Sequence, residues 1–409
     1  MVWNCSVFFA FMIVVISIIA LRGAPCAMKT LAKARILVTR FPYESRFGGE
    51  ELHTLTLMKA LDERGISSFF LGSCPMLLRE FKARHFEVWK AWLGKPPVTM
   101  WTLLIFTLLS PLLFLRSGWL LGRALRRWDV NIVYMHSFGE KLLMTPWALF
   151  WNLKVVWVEH ARLGGWFFKN PWRRVYRWLA RCVTVVATSH AMAEILSAAL
   201  VRTPRVEAPN VVAIPCAAIV EKPAPLPSEL LDFMKSGFVV LCVARLTTDK
   251  GVDMLVHAVH SKPEVRLVLV GEGRLLKSFF CGGRKGIAAG RLRVVPSLPR
   301  GQLMELYQRA DLVVLPSREM DPFGMVAAEA MAMGTPVLMT DVCGISKDLR
   351  HGEQAWVVAP NFREIDKGLK RLMKDSALRE LLTKGGERFA KSHYSLENMV
   401  DAFERVLTR

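Results

Sequence analysis

Short apolar runs alternate with helical patterns along most of this chain, and the alternation occurs in two separate series. In the first series, strands are predicted at 35–40, 67–71, 131–135, 154–159 and 183–188. In the second series, strands are predicted at 238–244, 266–270, 292–295, 312–315, 337–340 and 355–358. Apolar strands that are separated by helices favour parallel sheets covered on both faces. The sequence therefore predicts an α/β fold with two doubly wound, Rossmann-like domains that face a cleft.

A proline-rich segment separates the two series. Six prolines lie between positions 204 and 227, and a length of 409 residues favours two domains. We predict an N-terminal domain over 28–210, a linker over 211–235 and a C-terminal domain over 236–392. An amphipathic helix within 393–409 ends the chain and is expected to pack back on one of the two domains.

The excess of basic over acidic residues indicates which classes of partner the protein can bind. Lys and Arg number 55 against 35 Asp and Glu, a net charge of +20, which favours polyanions, a nucleotide ligand or an anionic bilayer. The basic residues interleave with apolar segments and no nucleic-acid motif occurs, so a nucleic acid is not the predicted partner. The eight cysteines are scattered, without a CxxC pair or a histidine spacing suited to zinc. The sequence therefore predicts reduced thiols in the cytoplasm and no metal site.

The first 27 residues include an apolar segment of membrane-spanning length. Residues 2–21 carry no charged side chain, and about 20 residues span a bilayer core. Basic residues follow the segment, so a signal anchor would leave the rest of the chain in the cytoplasm. A cleaved signal peptide fits this charge order poorly. A start-site artefact is the third alternative, because Met28 would make a natural N-terminus.

Two further segments indicate contact with a membrane surface. The apolar run at 98–115 is followed by Arg116, Arg123, Arg126 and Arg127. A full span there would place the two halves of the first sheet on opposite sides of the bilayer, so we expect a helix packed on the sheet or lying in the interface. The segment 166–181 combines aromatic residues with four arginines. It is either a solvated basic face or a contact with anionic headgroups, and we favour the second.

The segment Asp321–Pro336, DPFGMVAAEAMAMGTP, carries two carboxylates eight positions apart. A helix that begins beyond a strand directs free amides and a partial positive charge towards a ligand phosphate. Asp321 before the helix and Glu329 inside it are placed to bind hydroxyl groups. Upstream, Arg245 and Lys250 lie in the loop after the first strand of the second series, where two cations can bind a diphosphate. The combination indicates a sugar-nucleotide site.

Four segments in this order resemble the retaining glycosyltransferases of family 4, which have the GT-B fold. They are ARLTTDKG (244–251), VLVGEG (268–273), LYQRADLVVLPS (306–317) and DPFGMVAAEAMAMGTPV (321–337). The N-terminal half resembles the family more weakly, at the Gly48-Gly49 turn, at His160 and at 183–196. In three places the chain departs from the family pattern: Asp321 stands where Glu is usual, Cys216-Ala217 where Asn-Gly is usual, and Ser297 where Gly is usual.

The resemblance implies a role for each candidate residue. The donor diphosphate would be bound by Arg245 and Lys250 and by the backbone amides of Phe323, Gly324 and Met325. Glu329 would bind the ribose of the nucleotide, and Asp321 would contact the hydroxyls of the donor sugar. Gly48 and Gly49 would form the loop that approaches the phosphates and the acceptor. His160 would lie near the reacting sugar. The family needs no metal, so no metal and no cofactor are expected.

His160 has a structural alternative. A lone histidine at the end of a strand is more often a structural residue than a catalytic one. Its place after a predicted strand and the Gly164-Gly165 pair beyond it favour function. Glu159 comes one residue earlier and would point to the opposite side if the strand continues. Of the two, we favour His160 as the residue that faces the cleft.

The predicted function is that of a membrane-associated enzyme with its domains on the cytoplasmic side. It would move a sugar, of the hexosyl type, from a nucleotide-diphosphate sugar to an acceptor with retention of configuration. The acceptor would be lipid-linked or a cell-envelope glycan such as a lipopolysaccharide. A non-catalytic sugar-nucleotide-binding or scaffold protein at the membrane is the alternative. Such a protein would explain why Asp321 and Cys216 depart from the family pattern.

Overall fold

The computed structural model describes residues 34–41, 48–160, 164–200, 210–276 and 289–408. The chain divides into two compact units. The first unit comprises residues up to 188 together with 193–214 and 400–409, and the second comprises 189–192 and 215–399. The predicted apolar segment at 1–27 lies outside the described residues, as do prolines 204 and 209.

The first unit contains a parallel sheet of seven strands in the order β3-β2-β1-β4-β5-β6-β7. The strands are β1 Arg35–Arg40, β2 Ser67–Gly72, β3 Glu87–Lys90, β4 Ile132–Met135, β5 Lys154–Glu159, β6 Thr184–Ala187 and β7 Asn210–Ala213. The described helices up to residue 200 are α1 Gly49–Glu63, α2 Pro75–Ala83, α3 Met100–Trp128, α4 Phe138–Phe150, α5 Gly165–Lys169, α6 Arg173–Ala180 and α7 His190–Leu200. The central strands are almost fully buried, because helices cover both faces of a parallel sheet.

The second unit contains a parallel sheet of six strands in the order β10-β9-β8-β11-β12-β13. The strands are β8 Phe238–Val243, β9 Val265–Val270, β10 Leu292–Val295, β11 Leu312–Leu315, β12 Val337–Thr340 and β13 Trp356–Val358. The described helices that follow residue 200 are α8 Ser228–Met234, α9 Val252–His260, α10 Arg300–Arg309, α11 Met325–Ala332, α12 Phe362–Lys374, α13 Ser376–His393 and α14 Leu396–Thr408. Two hydrophobic cores, one on each face of this sheet, hold the helices in place.

The segment 211–235, which the sequence predicts to be a linker, contains a strand at its start and a helix near its end. Residues 211–213 belong to β7, which pairs with β6 at the edge of the first sheet. Helix α8 occupies 228–234 and belongs to the second unit. Prolines next to a strand are tolerated when that strand lies at an edge, and this explains why a proline-rich segment can still contribute a strand.

Helix α3 connects two strands of the same sheet. β3 precedes it and β4 follows it, and both belong to the seven-stranded sheet of the first unit. Among the described helices, α3 is the one that is long and apolar enough to cross a membrane. A crossing would separate β3 from β4 and break the sheet, so the helix lies along the unit instead. This agrees with the expectation for the apolar run at 98–115.

The terminal helix α14 packs on the first unit through its last nine residues. The ring of Phe403 lies against His53 and Tyr134, with centroid distances of 5.7 and 6.2 Å. Arg64 donates hydrogen bonds to Asp401 and Glu404. The helix therefore returns to the N-terminal unit, as the amphipathic pattern at 393–409 allowed.

Candidate active site

The loop after β8 carries the two predicted diphosphate ligands in different environments. The side chain of Arg245 is 72% exposed, and its Nη2 lies 3.3 Å from Asp249 Oδ2. Lys250 ends a 3-10 turn at Thr248–Lys250 and is mostly buried. Its Nζ donates a hydrogen bond of 2.6 Å to Asp321 Oδ2. The structure therefore brings the predicted phosphate ligand Lys250 and the predicted sugar ligand Asp321 into direct contact.

Gly251 sets this contact by a close backbone approach. Its φ is +65°, in the left-handed region, and a Cβ at this position would lie 1.9 Å from the carbonyl oxygen of Pro316. Pro316 directly follows β11, on the path that leads to Asp321. Because only glycine fits here, the loop that carries Lys250 can lie against the chain that carries Asp321.

Gly251→Ala is expected to lower the free energy of unfolding by about 2 kcal/mol or more, since it adds a clash to an unfavourable φ. Urea unfolding measures the change. Gly352→Ala is the matched control, because Gly352 has a φ of +81° but no atom of the described residues lies within 4 Å of the place that its Cβ would occupy. Equal losses in the two variants would contradict the proposed role of the contact with Pro316.

The segment before α11 presents the start of a helix next to Asp321. Gly324 has a φ of +97° and precedes the first helical residue, Met325. The amides of Ala327 and Ala328 make the first hydrogen bonds to the Gly324 carbonyl, so the amides before them are the free donors of a helix N-terminus. Phe323 is buried, and its carbonyl accepts a hydrogen bond of 2.7 Å from the Ile345 amide. This N-terminus can bind an anion.

Two buried thiols lie near Asp321. Burial and the charge of Asp321 raise the pKa of the Cys343 thiol to about 12, and the same two causes raise the pKa of the Cys216 thiol. Both cysteines therefore carry neutral thiols at pH 7, and Lys250 is the cation that balances the Asp321 carboxylate. Cys216 is one of the positions at which the chain departs from the family pattern.

Glu329 lies inside the unit with both carboxylate oxygens engaged. The residue is 2% exposed. Its Oε1 accepts a hydrogen bond of 2.9 Å from Arg300 Nη2, and its Oε2 accepts one of 3.1 Å from the Tyr307 hydroxyl. Burial raises the pKa of Glu329, while the charge of Arg300 acts in the opposite direction. A carboxylate oxygen has two acceptor positions, so each Glu329 oxygen keeps one acceptor position beyond its bond to Arg300 or Tyr307.

In the first unit, the predicted residue His160 belongs to a cluster of three histidines, with His53 and His136. The His53 and His160 ring centroids are 4.8 Å apart, and those of His136 and His160 are 5.5 Å apart. His136 follows β4 and His160 follows β5, at the carboxyl ends of adjacent strands. Nε2 of His160 is buried and has no hydrogen-bond partner among the described residues. It is therefore available to a hydroxyl group of a ligand.

Burial keeps these histidines neutral. It lowers the pKa of His53 to about 3 and the pKa of His136 to about 4. Burial and the neighbouring His53 lower the pKa of His160 well below its ordinary value. A neutral imidazole at pH 7 can accept or donate one hydrogen bond at each nitrogen according to its tautomer. The cluster can thus orient a polar group but does not supply a positive charge.

Gly48 and Gly49 lie at the start of α1, beside this cluster. The Gly48 amide donates a hydrogen bond of 3.0 Å to Glu51 Oε2. Arg40, at the end of β1, forms ion pairs with Glu50 at 2.8 Å and with Glu51 at 3.2 Å. Both glycines are exposed. The ion pairs therefore fix the turn of α1 that carries the two glycines.

The structure also separates Glu159 from His160. Glu159 is buried, where its Oε1 accepts hydrogen bonds from Lys141 Nζ, at 2.5 Å, and from the Tyr176 hydroxyl. His160 is half-buried and lies with the other histidines on the opposite side. Successive side chains of a strand alternate in direction, so the side chains of Glu159 and His160 point to opposite sides. Lys141 and Tyr176 thus hold Glu159 in a buried position through its Oε1 atom.

Sequence reasoning missed five residues that shape these sites. They are Glu50, His53, His136, Arg300 and Tyr307. Among the described residues, no group of three or more His, Cys, Asp or Glu side chains is placed to hold a metal ion. Five cysteines of that part of the chain form no disulfide bond within it, namely Cys74, Cys182, Cys216, Cys242 and Cys343. Cys182 is exposed, and the other four are buried.

Two protein-family models match the chain, one mainly in each unit. The family described as Glycosyltransferase Family 4 matches residues 47–216, and the family described as Glycosyl transferases group 1 matches residues 231–389. The chain is 32% identical over 165 residues to an uncharacterized glycosyltransferase of Methanocaldococcus jannaschii, covering 39% of this chain and 42% of that protein. It is 30% identical over 195 residues to the D-inositol 3-phosphate glycosyltransferase of Jonesia denitrificans, covering 43% and 45%. The chain thus spans less than half the length of these curated relatives.

Solved structures resemble the chain over nearly its whole length. A glycosyltransferase from Rickettsia africae has a TM-score of 0.72 at 18% identity, covering 92% of this chain and 98% of that one. The Anabaena protein HepE in complex with UDP has a TM-score of 0.73 at 18% identity, covering 92% and 99%. These likenesses agree with two Rossmann-like units that each contain a parallel sheet. The chain belongs to the family 4 glycosyltransferases and has their GT-B fold.

Proposed function

We propose that this protein transfers a sugar from a nucleotide-diphosphate sugar to an acceptor, with retention of configuration and without a metal ion. The observation that carries the proposal is the contact of 2.6 Å between Lys250 and Asp321, next to the helix N-terminus at Gly324 and Met325. A cation, a carboxylate and free amides are the groups that a diphosphate attached to a sugar requires.

The same groups explain how the transfer is promoted. Negative charge builds on the diphosphate as the bond between the sugar and the phosphate breaks. Lys250, Arg245 and the amides at the start of α11 would stabilise that charge, and such preorganised donors contribute strongly to catalysis. Asp321 would hold a sugar hydroxyl, and the Nε2 atom of His160 would contact the reacting sugar or the acceptor. Hexosyl transfer is the reaction that we propose.

A uridine nucleotide is the first donor to test. HepE has been crystallised with UDP, and also with UDP-glucose, and its likeness to this chain supports a nucleotide-sugar donor here. Glu329 would bind the ribose in addition to Arg300 and Tyr307. We propose a lipid-linked or envelope-glycan acceptor at the cytoplasmic face of a membrane, because the first unit combines exposed apolar and basic side chains.

Thermal shift with UDP-, GDP-, ADP- and CMP-sugars tests donor binding. One class should raise the melting temperature of the wild-type protein, because a ligand at 100 times its Kd stabilises by about 2.7 kcal/mol. Glu329→Ala should respond far less, each protein being compared with its own ligand-free value. Glu353→Ala, at an exposed carboxylate of the same unit, is the control. If no sugar nucleotide shifts the wild-type protein, or if Glu329→Ala responds as the wild type does, the site is assigned wrongly.

Turnover distinguishes the enzyme from a non-catalytic binding protein. The release of nucleoside diphosphate is measured with the donor that binds, with membrane lipid extracts as acceptors and with a chelator present. NMR of the product gives the anomeric configuration. Donor binding without any transfer or donor hydrolysis would show a binding or scaffold protein instead.

A further inference from the structure

One side of α3 exposes a continuous apolar stripe. Its members are 43% to 76% exposed, and they recur every three or four positions along the helix. They are Trp101, Leu104, Ile105, Leu108, Leu112, Leu115 and Trp119. The stripe extends over about 27 Å at 1.5 Å per residue. A contiguous apolar surface of this kind marks an interaction site on a protein.

The opposite side of α3 is fixed to the first unit. Phe114 is buried and stacks on Trp147 with a centroid distance of 4.9 Å. The Ser117 hydroxyl donates a hydrogen bond of 2.9 Å to the Leu143 carbonyl. Because β3 and β4 flank the helix in one sheet, the helix cannot leave the unit to cross a bilayer. The stripe is thus the outward face of a helix that lies flat.

Four arginines line a pocket on α6 and just beyond it. The lining residues are Arg173, Arg174, Arg177, Trp178 and Arg181. Arg174 is exposed, and Nε of Arg181 is buried without a hydrogen-bond partner in the part of the chain that the structure describes. Guanidinium groups that share a pocket repel one another, so the pocket favours an anion with several oxygen acceptors. Phosphate is the group that arginines bind with two parallel hydrogen bonds.

The stripe and the pocket belong to neighbouring elements. The indole of Trp172, one residue before α6, donates a hydrogen bond of 3.0 Å to the Thr107 hydroxyl of α3. The rings of Phe106 and Trp172 are 5.5 Å apart, and the Asn170 side chain donates to the Pro97 carbonyl. Segments 98–128 and 164–182 together contain nine Lys and Arg and no Asp or Glu. The apolar stripe therefore lies beside segments with an excess of positive charge, in which Arg127 is ion-paired with Glu87 at 3.5 Å.

We infer that the apolar stripe of α3 and the arginine pocket form one docking surface for an anionic lipid bilayer. The stripe would enter the boundary between headgroups and acyl chains, where Trp101 and Trp119 are suited to lie. The arginines would bind headgroup phosphates. A second copy of the chain is a poor occupant, because it would bring the same nine positive charges against these. The inference rests on the membrane role in the proposed function and specifies the surface that performs it.

The test uses the full chain and the quenching of tryptophan fluorescence by vesicles with brominated acyl chains. The chain has 13 tryptophans, so contact of Trp101 and Trp119 with lipid is judged from the difference in quenching between each variant and the wild-type protein. Quenching should be strong with an equal mixture of phosphatidylcholine and phosphatidylglycerol and weak with phosphatidylcholine alone. Leu108→Ser/Leu112→Ser should weaken docking by about tenfold or more. Leu381→Ser/Leu396→Ser, at exposed leucines of α13 and α14, is the matched control.

A second pair of variants tests the arginines. Arg174→Gln/Arg181→Gln should weaken docking on the phosphatidylglycerol vesicles by about fivefold for each arginine. Arg79→Gln/Arg350→Gln removes the same charge from side chains that are 70% and 78% exposed and should have little effect. Equal quenching on both kinds of vesicle, or equal losses in the two arginine variants, would overturn the inference. A dimer that the leucine variant abolishes in the absence of lipid would overturn it too.

Donor binding separates this inference from the proposed function. The sugar-nucleotide thermal shift should be the same in the docking variants as in the wild-type protein, because the donor residues belong to the second unit. If no sugar nucleotide binds while quenching follows the predicted pattern, the proposed function fails and the docking surface stands. If donor binding holds and quenching does not follow the pattern, the docking surface is wrong.

Discussion

Lys250→Ala is expected to lower kcat/KM for sugar transfer by about a thousandfold, the size of the loss when one preorganised donor to a developing charge is removed. The Lys250 ammonium lies 2.6 Å from Asp321 Oδ2 and is the cation that balances that carboxylate. Its removal takes a positive charge from the diphosphate site and leaves an unbalanced negative charge in the same place. Both effects raise the energy of the departing diphosphate.

The split between kcat and KM tests the electrostatic explanation. Stabilisation of the leaving group acts mainly in the transition state, so kcat should fall more than KM rises. Lys250→Arg keeps the charge and should retain more activity than Lys250→Ala. Lys235→Ala, at a side chain that is 75% exposed in the same unit, is the control. Activity of Lys250→Ala within a factor of two of the wild type would contradict the assignment of Lys250.

The predictable part of the fold is the part with strong apolar patterns. Strands such as β8 and β11 are apolar throughout, because a parallel sheet buries both faces, and their positions follow from the sequence. β3 and β7 were missed. They lie at the two edges of the first sheet, have four residues each and are partly exposed. An edge strand of that length carries little apolar signal.

The candidate site also has a part that the sequence predicts and a part that it does not. Arg245, Lys250, Asp321 and Glu329 follow from motifs, because each lies at a fixed offset from a strand or a helix start. The pairing of Lys250 with Asp321 depends on the approach of Gly251 to Pro316, which no local pattern records. His53 and His136 reach His160 from α1 and from the end of β4. Contacts between elements so distant in the chain are created by the fold alone.

Arg300→Met is expected to lower the free energy of unfolding by about 3 kcal/mol at pH 8, because it leaves a buried carboxylate without its cation. Glu329 is 2% exposed, and Arg300 Nη2 lies 2.9 Å from its Oε1. Methionine keeps much of the apolar stem of arginine, so the loss measures the charge rather than the packing. Urea unfolding followed by circular dichroism gives the difference. Arg300→Met/Glu329→Met should be more stable than Arg300→Met, because it contains no unpaired buried charge.

The dependence on pH identifies Glu329 as the source of that loss. Burial already raises the pKa of Glu329 above its ordinary 4.5 in the folded protein, against the charge of Arg300. A carboxyl group with a raised pKa contributes stability that is complete below the unfolded value and is lost as pH rises through the folded value. Without Arg300 the folded pKa rises further, so the deficit of Arg300→Met should shrink between pH 8 and pH 5. In Arg300→Met/Glu329→Met the stability relative to wild type should change far less over this interval. A deficit that is the same at both pH values in Arg300→Met would show that lost packing, and not the uncovered charge of Glu329, destabilises the second unit.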